Sequence, residues 1–448
     1  ATEDQLDFPI MMTNARAGTA AVRGEPAGRS LQPLFDAILS HVPPPTGDPS
    51  ATLQFLVTNL EYSDYVGRLA VGRVFEGTLR AGEIISLCGI GGEVKKLKGT
   101  LLYGYEGLSR TEIPDATAGD IVAIAGMEDV TIGDTISDAE KPKPLPRIAV
   151  DEPTVSMVFS INTSPFAGKD GKFVTSRQVR ARLEKELLGN VALRIDFSGT
   201  DYFTVMGRGE LQLVILIEMM RREGFELSVS RPEVVTKTEG GAVVEPVEAL
   251  FVDVPDAHLG AVTQALGIRR AKMTKMINPG HGRVRIEYRI PSRGLIGFRS
   301  EFLTLTRGTG LLNHLFDGYD PWQGPIPERI NGALVADRVG RTTAYAIFHL
   351  QSRGTFFIGE GVQVYEGMIV GENTRPVDID VNITKEKKLT NIRAAGTDEA
   401  LRLVPPRILS LEAALEFINE DELVEITPAS IRMRKKILDA GKRPRRKE

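Results

Sequence analysis

The chain has 448 residues, 25% of them charged and 42% hydrophobic, with a formal net charge of −4. That length carries a prior of about three domains, and the composition is that of a globular chain with sizeable cores. A near-neutral balance excludes a uniformly basic nucleic-acid binder while leaving room for local basic surfaces, and no apolar run approaches the ~18–20 residues a membrane-spanning helix needs.

The opening stretch Ala1-Thr2-Glu3-Asp4-Gln5 is acidic and lacks an initiator Met, so it reads as neither a signal peptide nor a natural start. Residues 8–12 are expected as a strand. A helix is expected over 30–40, where Leu31, Leu34, Phe35 and Ile38 recur at spacings of three and four. The prolines of His41-Val42-Pro43-Pro44-Pro45 then stiffen a linker. Residues 50–147 are strand-like throughout and rich in glycine turns, for which a small closed barrel is the natural solution. The single cysteine, Cys88, lies here. It excludes an intramolecular disulfide and a cysteine metal cluster, and points to a reducing, cytoplasmic setting.

From 152 the pattern changes. A strand over 154–162 leads to a helix near Ser176, with Thr175 and Gln178 placed as a capping box and Val179, Leu183 and Leu187 as its buried stripe. Strands over 192–197 and 202–206 follow. A helix over 210–223 is stopped by Gly224, and a strand over 226–230 closes the unit. The order β-α-β-β-α-β is the ferredoxin-like pattern. Residues 245–320 repeat it: a strand over 249–254, a helix after Asp256, strands over 273–277 and 283–290, and a helix marked by Leu295, Phe298, Phe302 and Leu305. Beyond 326, short strands are expected over 344–349 and 362–364, then a helix after Ser410 and a basic tail from Arg432 onward.

Two features suggest phosphate chemistry. Arg269, Arg270, Lys272, Lys275, Arg283, Arg285, Arg289, Arg293, Arg299 and Arg307 are opposed between positions 269 and 307 only by Glu287 and Glu301. Such cations neutralise RNA phosphates, although a charge run is otherwise just a solvated face. The second is 382–402, a long polar loop carrying Lys385, Lys387, Lys388 and Arg393, with Asn391 able to hydrogen-bond a ribose or base edge. Its plain alternative is a flexible surface loop. The basic tail reads either as an RNA-binding arm or as a solubilising terminus. Catalytic signals are missing: there is no G-x-x-x-x-G-K-[ST] loop and no Asn-Lys-x-Asp box, and Gly168-Lys169-Asp170 and Gly171-Lys172-Phe173 lack the required spacing. The five histidines are scattered, so metal or acyl-transfer chemistry is not expected. Gly207-Arg208-Gly209-Glu210 reads as a structural helix entry, with Glu210 complementing the helix dipole.

Long stretches spread over every expected domain carry a resemblance. They include Ala1-Thr2-Glu3-Asp4-Gln5-Leu6-Asp7-Phe8-Pro9, Asn162-Thr163-Ser164-Pro165-Phe166, Gly207-Arg208-Gly209-Glu210-Leu211, Ile290-Pro291-Ser292-Arg293-Gly294-Leu295-Ile296-Gly297-Phe298-Arg299 and Lys387-Lys388-Leu389-Thr390-Asn391. Through them the chain resembles the BipA/TypA family of ribosome-associated translational GTPases, without most of the GTPase domain. The resemblance implies a multidomain α/β and β fold, parsed as follows. Residues 1–48 are a GTPase-domain remnant and linker, and 49–148 an elongation-factor-type β-barrel. Residues 149–238 and 239–325 are two ferredoxin-like α+β domains, and 326–448 a mixed family-specific C-terminal domain. It implies GTP and Mg²⁺ as cofactors of the intact parent and none in this chain. It also implies action in large-subunit assembly and stress-adapted translation, with the ribosome as partner, through large-subunit rRNA and the acceptor end of a tRNA. Neither a membrane nor an oligomer is expected. The family's guanine-contacting S-A-x box falls at Asn14-Ala15-Arg16, with Asn14 replacing Ser, and the chain as given is expected to be inactive as a GTPase. The competing reading is a free-standing RNA-binding or protein-interaction module that never had GTPase activity.

Overall fold

The computed structural model describes residues 8–26, 28–63, 65–107, 109–148, 152–326, 329–387 and 402–444. The chain divides into two compact units, 1–149 and 150–448. No helix among the described residues is long and apolar enough to cross a membrane.

In the first unit the strand expected over 8–12 is displaced: Met11–Asn14 pairs antiparallel with Thr19–Val22 as a hairpin. The turn explains the shift, because Asn14 Oδ1 accepts the Ala17 N–H at 3.0 Å and Gly18 takes φ +66°, a conformation glycine adopts at little cost. The helix spans Gln32–His41 and has no fully buried residue, leaving Phe35 and Ile38 exposed. The barrel region forms an eight-stranded antiparallel sheet, from Gln54–Ser63 to Thr135–Asp138 in sequence, with a separate ladder joining Thr78–Arg80 to Asp115–Thr117. Phe55, Val57, Val74, Leu102, Ile124 and Ile136 are fully buried in it.

The second unit starts with β1 (Val155–Ile161), α1 (Ser176–Gly189), β2 (Arg194–Asp196), β3 (Tyr202–Gly207), α2 (Glu210–Glu223) and β4 (Leu227–Val229). Thr175 and Gln178 make the reciprocal capping box, Val179 and Leu183 are buried, and Gly224 ends α2 in the left-handed conformation at φ +100°. The second α/β region comprises β5 (Ala242–Pro255), α3 (Leu259–Ile268), β6 (Lys272–Ile277) and β7 (Arg283–Pro291). It continues with α4 (Ser292–Leu295), α5 (Phe298–Leu305) and β8 (Leu311–Pro321). Its sheet runs β8-β5-β7-β6, all antiparallel. The single helix expected around Leu295–Leu305 is broken in two, because Ile296 is extended and Gly297 takes φ +70°.

The remaining elements include β9 (Ala333–Ala336), α6 (Ala344–Leu350), β10 (Met368–Asn373), β11 (Ile379–Val381), α7 (Leu411–Phe417), β12 (Glu422–Ile426) and β13 (Ile431–Lys435). The strand expected over 344–349 is therefore a helix. A short apolar run is ambiguous in period, and here the Thr343 side chain caps it by accepting the Ala346 N–H at 3.1 Å. The larger finding is continuity. β12 pairs antiparallel with β4, Leu227 opposite Ile426 and Val229 opposite Val424, so one sheet runs β2-β3-β1-β4-β12-β13-β10-β9-β11. One core unites Phe159, Val179 and Ile217 with Leu415, Phe417, Val424 and Met433. The sheet thus crosses the boundary drawn from sequence between 149–238 and 326–448.

Candidate nucleic-acid interface

The basic tail is mostly not a tail. Its first half is β13, inside the large sheet. Lys435 is 2% exposed, and its Nζ donates to Asp378 at 2.6 Å and to Asp421 and Glu422 at 2.8 Å. Burial works against the Lys435 charge, but these carboxylates hold its pKa above the usual lysine value. Arg329 donates to the other Glu422 oxygen at 3.0 Å, and Arg432 to Glu425 at 2.6 Å. These are structural charges, each paired with a buried carboxylate of the sheet. Residues 445–448 lie outside the described residues.

The Gly168–Lys172 stretch is also accounted for. The backbone N–H groups of Gly168, Asp170 and Gly171 converge at 2.7–2.9 Å on the carboxylate of Glu226, which is fully buried. Burial opposes ionisation of Glu226, yet those donors hold its carboxyl below the usual glutamate range. A carboxylate of the chain fills the concavity that a phosphate would need. At the other end, Asn14 Oδ1 is spent on its own turn, and Ala15 and Arg16 sit exposed at the hairpin tip. With Glu226 in its concavity, the Gly168–Lys172 loop does not fit a nucleotide phosphate.

The Arg269–Arg307 cluster looks different in three dimensions. Arg269 donates to Glu301 at 2.8 Å and to the Gly294 and Ile296 carbonyls, clasping the α4–α5 break. Arg270, left-handed at φ +66°, donates to the Pro325 carbonyl at 3.3 Å. Arg293 is paired with fully buried Glu245 and stacks on Trp322 at 3.9 Å. Arg283 meets Asp253, and Arg289 meets Asp317 and Asp320. Lys275 lies 3.9 Å from Glu287. Lys272 and Arg299 remain exposed. The opposing carboxylates come mainly from β5 and β8, outside the 269–307 window, where a linear scan does not see them.

Where β8, the α4–α5 break, α2 and α7 meet there is a cavity of about 210 Å³, lined by Glu210, Glu248, Leu295, Arg299, His314 and Glu416 among others. Glu210 keeps its place in the first turn of α2 and also reaches out of its own helix. Its carboxylate accepts the Gly297 N–H at 3.3 Å, at the start of α5. Burial pushes its pKa up to about 7 against that hydrogen bond. Glu248 binds His314 Nδ1 at 2.7 Å and the Ser292 hydroxyl at 2.9 Å, and this raises the His314 pKa. Sequence reasoning missed this group. The only available signal was an acidic residue at a helix start, which has a commoner explanation.

The described ends of the 382–402 region meet opposite ends of α6. The Thr343 hydroxyl, at the α6 N-terminus, donates to the Lys385 carbonyl at 2.6 Å. Gln351, at its C-terminal end, accepts the Val404 N–H at 3.3 Å and donates to the Arg402 carbonyl at 3.5 Å. Lys385 and Lys387 are exposed. Lys388, Asn391 and Arg393 lie outside the described residues.

Comparison with known proteins covers all of these regions. Residues 67–137 match the model of elongation factor Tu domain 2, 242–330 that of the elongation factor G C-terminus, and 331–440 that of the TypA/BipA C-terminal domain. The large ribosomal subunit assembly factor BipA of Bacillus subtilis (strain 168) is 47% identical over 445 residues, covering 99% of this chain and 73% of the relative. The protein of the same name from Synechocystis sp. is 50% identical over 436 residues, covering 97% and 73%. That of Escherichia coli (strain K12) is 49% identical over 447 residues, covering 99% and 74%. At this identity and coverage, the chain belongs to the BipA/TypA family of translational GTPases.

Proposed function

We propose that this chain acts on the large ribosomal subunit during its assembly and in stress-adapted translation, gripping ribosomal RNA mainly through 382–402. The observation that carries the reading is the double attachment of that segment to α6: its described ends are hydrogen-bonded to opposite ends of one helix, with exposed Lys385 and Lys387 beside the first anchor. A fixed base lets a cationic segment reach a partner without losing its register. Lys388, Asn391 and Arg393 belong to the same proposed contact, and the acceptor end of a tRNA is a second candidate ligand. Lys272 and Arg299 are the auxiliary phosphate contacts of the second α/β region, with Lys275 beside them. Arg269, Arg270 and Arg293 shape that region and are secondary contacts at most. The names of the relatives support a ribosomal, cytoplasmic role, with GTP and Mg²⁺ serving the nucleotide chemistry of the intact family.

The test is pelleting with purified ribosomes across a salt series. Replacing Lys385, Lys387, Lys388 and Arg393 by Ala lowers affinity and flattens the salt slope by roughly one unit per lost phosphate contact, with an unchanged melting temperature. An unchanged affinity and slope in that variant returns 382–402 to an ordinary surface segment. The competing reading, a free-standing module without nucleotide chemistry, gains no observation of its own.

A further inference from the structure

We infer that the outward stripe of α6 is a stacking platform for unpaired RNA bases. This deepens the RNA reading above and rests on it for the partner class; its rings belong to this proposal alone, and Lys385 serves both. Ala346 and Ile347 are buried, and Ile347 belongs to the core with Phe356, Val364 and Tyr365. That leaves Tyr345, Phe348 and His349, at spacings of three and four, on the other side. Phe348 is 36% exposed and His349 is exposed, while Tyr345 is half-buried. The three rings touch. Tyr345 and His349 lie 4.4 Å apart at 69°, and Phe348 and His349 lie 5.5 Å apart at 80°. Edge-on packing of this kind fixes the rings relative to one another, and the exposure of Phe348 and His349 leaves ring surface for a further aromatic partner.

Charge selects the occupant. Arg341, before the N-terminus of α6, is exposed, and among the described residues its side chain reaches the Gly361 carbonyl at 3.4 Å. Lys385 is exposed where its carbonyl meets Thr343, and Arg353 is exposed just past the C-terminal end. Among the described residues flanking α6 in sequence, Asp337 is committed to Arg338 at 2.8 Å, and Glu360 and Glu386 are exposed carboxylates. Open π-faces between cations fit a single strand, whose phosphates meet the cations while splayed bases stack. They do not fit a duplex, whose bases are already stacked and whose major groove is too deep and narrow for side chains to read.

The experiment is fluorescence anisotropy of the 448-residue chain with a labelled oligoadenylate of about 12 nucleotides, a length suited to site sizes of single-strand binders. Against it run a duplex RNA of equal length and the variants Phe348→Ala/His349→Ala, Phe348→Trp and Lys385→Ala. The double alanine variant is expected to bind oligoadenylate about fivefold or more weakly with the salt slope retained, since no phosphate contact is lost. Phe348→Trp keeps wild-type affinity, whereas Lys385→Ala lowers affinity and slope together. Wild-type affinity in the double variant overturns the platform, as does equal binding of the duplex. The two readings are separated by sparing Lys385: a Lys387→Ala/Lys388→Ala/Arg393→Ala variant that pellets normally, beside a double alanine variant that loses oligoadenylate, rejects the segment and keeps the platform. The reverse pattern rejects the platform alone.

Discussion

The two α/β regions of the second unit share one element order and treat their charges in opposite ways. In the first, the sheet does not end at β4: β12 continues it, and the cations of β13 sink into the extended sheet against buried Glu422 and Glu425. In the second, the face of the β8-β5-β7-β6 sheet away from α3 and α5 carries its cations at the surface. Arg285 and Arg289 meet carboxylates there with side chains 64% and 36% exposed. Element order therefore does not say which sheet edge is taken, and a run of basic residues does not say which cations are available. Partners arriving from distant strands decide both.

The contrast is tested first where it is largest. Glu422→Ala leaves Lys435 and Arg329 buried near an empty position. Removing one partner of a buried ion pair costs about 3–5 kcal/mol, read as a fall in the urea midpoint. The counterpart in the second region, Arg285→Ala, stays within about 1 kcal/mol, because exposed pairs contribute little. Equal losses from the two variants remove the distinction.

The next effect is pH dependence at the cavity. Glu210 rises from 4.5 unfolded to about 7 folded, so between those values the folded state holds a proton the unfolded chain has lost. Stability contributed this way is full below about pH 4.5 and fades as pH rises through 7. His314, raised by Glu248, acts in the same direction: its contribution is present below 6.5 and is lost as pH rises through its folded value. At 1.36 kcal/mol per unit the Glu210 share is on the order of 3 kcal/mol. Glu210→Gln should be more stable than wild type at pH 8 and lose that margin near pH 4.5. A margin that does not change with pH removes Glu210 from the account.

A smaller test compares helix starts. Thr175 caps α1 by side chain, whereas His258 before α3 makes no such bond. Thr175→Ala should cost about 1 kcal/mol and His258→Ala nearly nothing, by the same urea titration.

Much of this was legible in the residues. The capping box, the stripe of α1, the Gly224 stop and both β-α-β-β-α-β orders are local signals, and the structure keeps them. Three features were not local. The break at Gly297 is fixed by Glu210 and by Arg269, which clasps the neighbouring carbonyls. The helix at Ala344–Leu350 turns on one capping threonine before an apolar run of ambiguous period. The merging of β4 with β12 pairs residues some two hundred positions apart, a distance no periodicity spans. For the same reason Arg293 and Lys435 read as surface cations in sequence and are structural in space.

The central claim is that the first α/β region and the C-terminal strands form one cooperative body. Native-state hydrogen exchange tests it most directly, at the amides of Leu227 and Val229 in β4 and of Val424 and Ile426 in β12. Strands of one cooperative unit open together, so these four amides should share one opening free energy and one denaturant dependence. Exchange of Val424 and Ile426 at lower denaturant, with Leu227 and Val229 still protected, would contradict the account and restore a separate C-terminal domain.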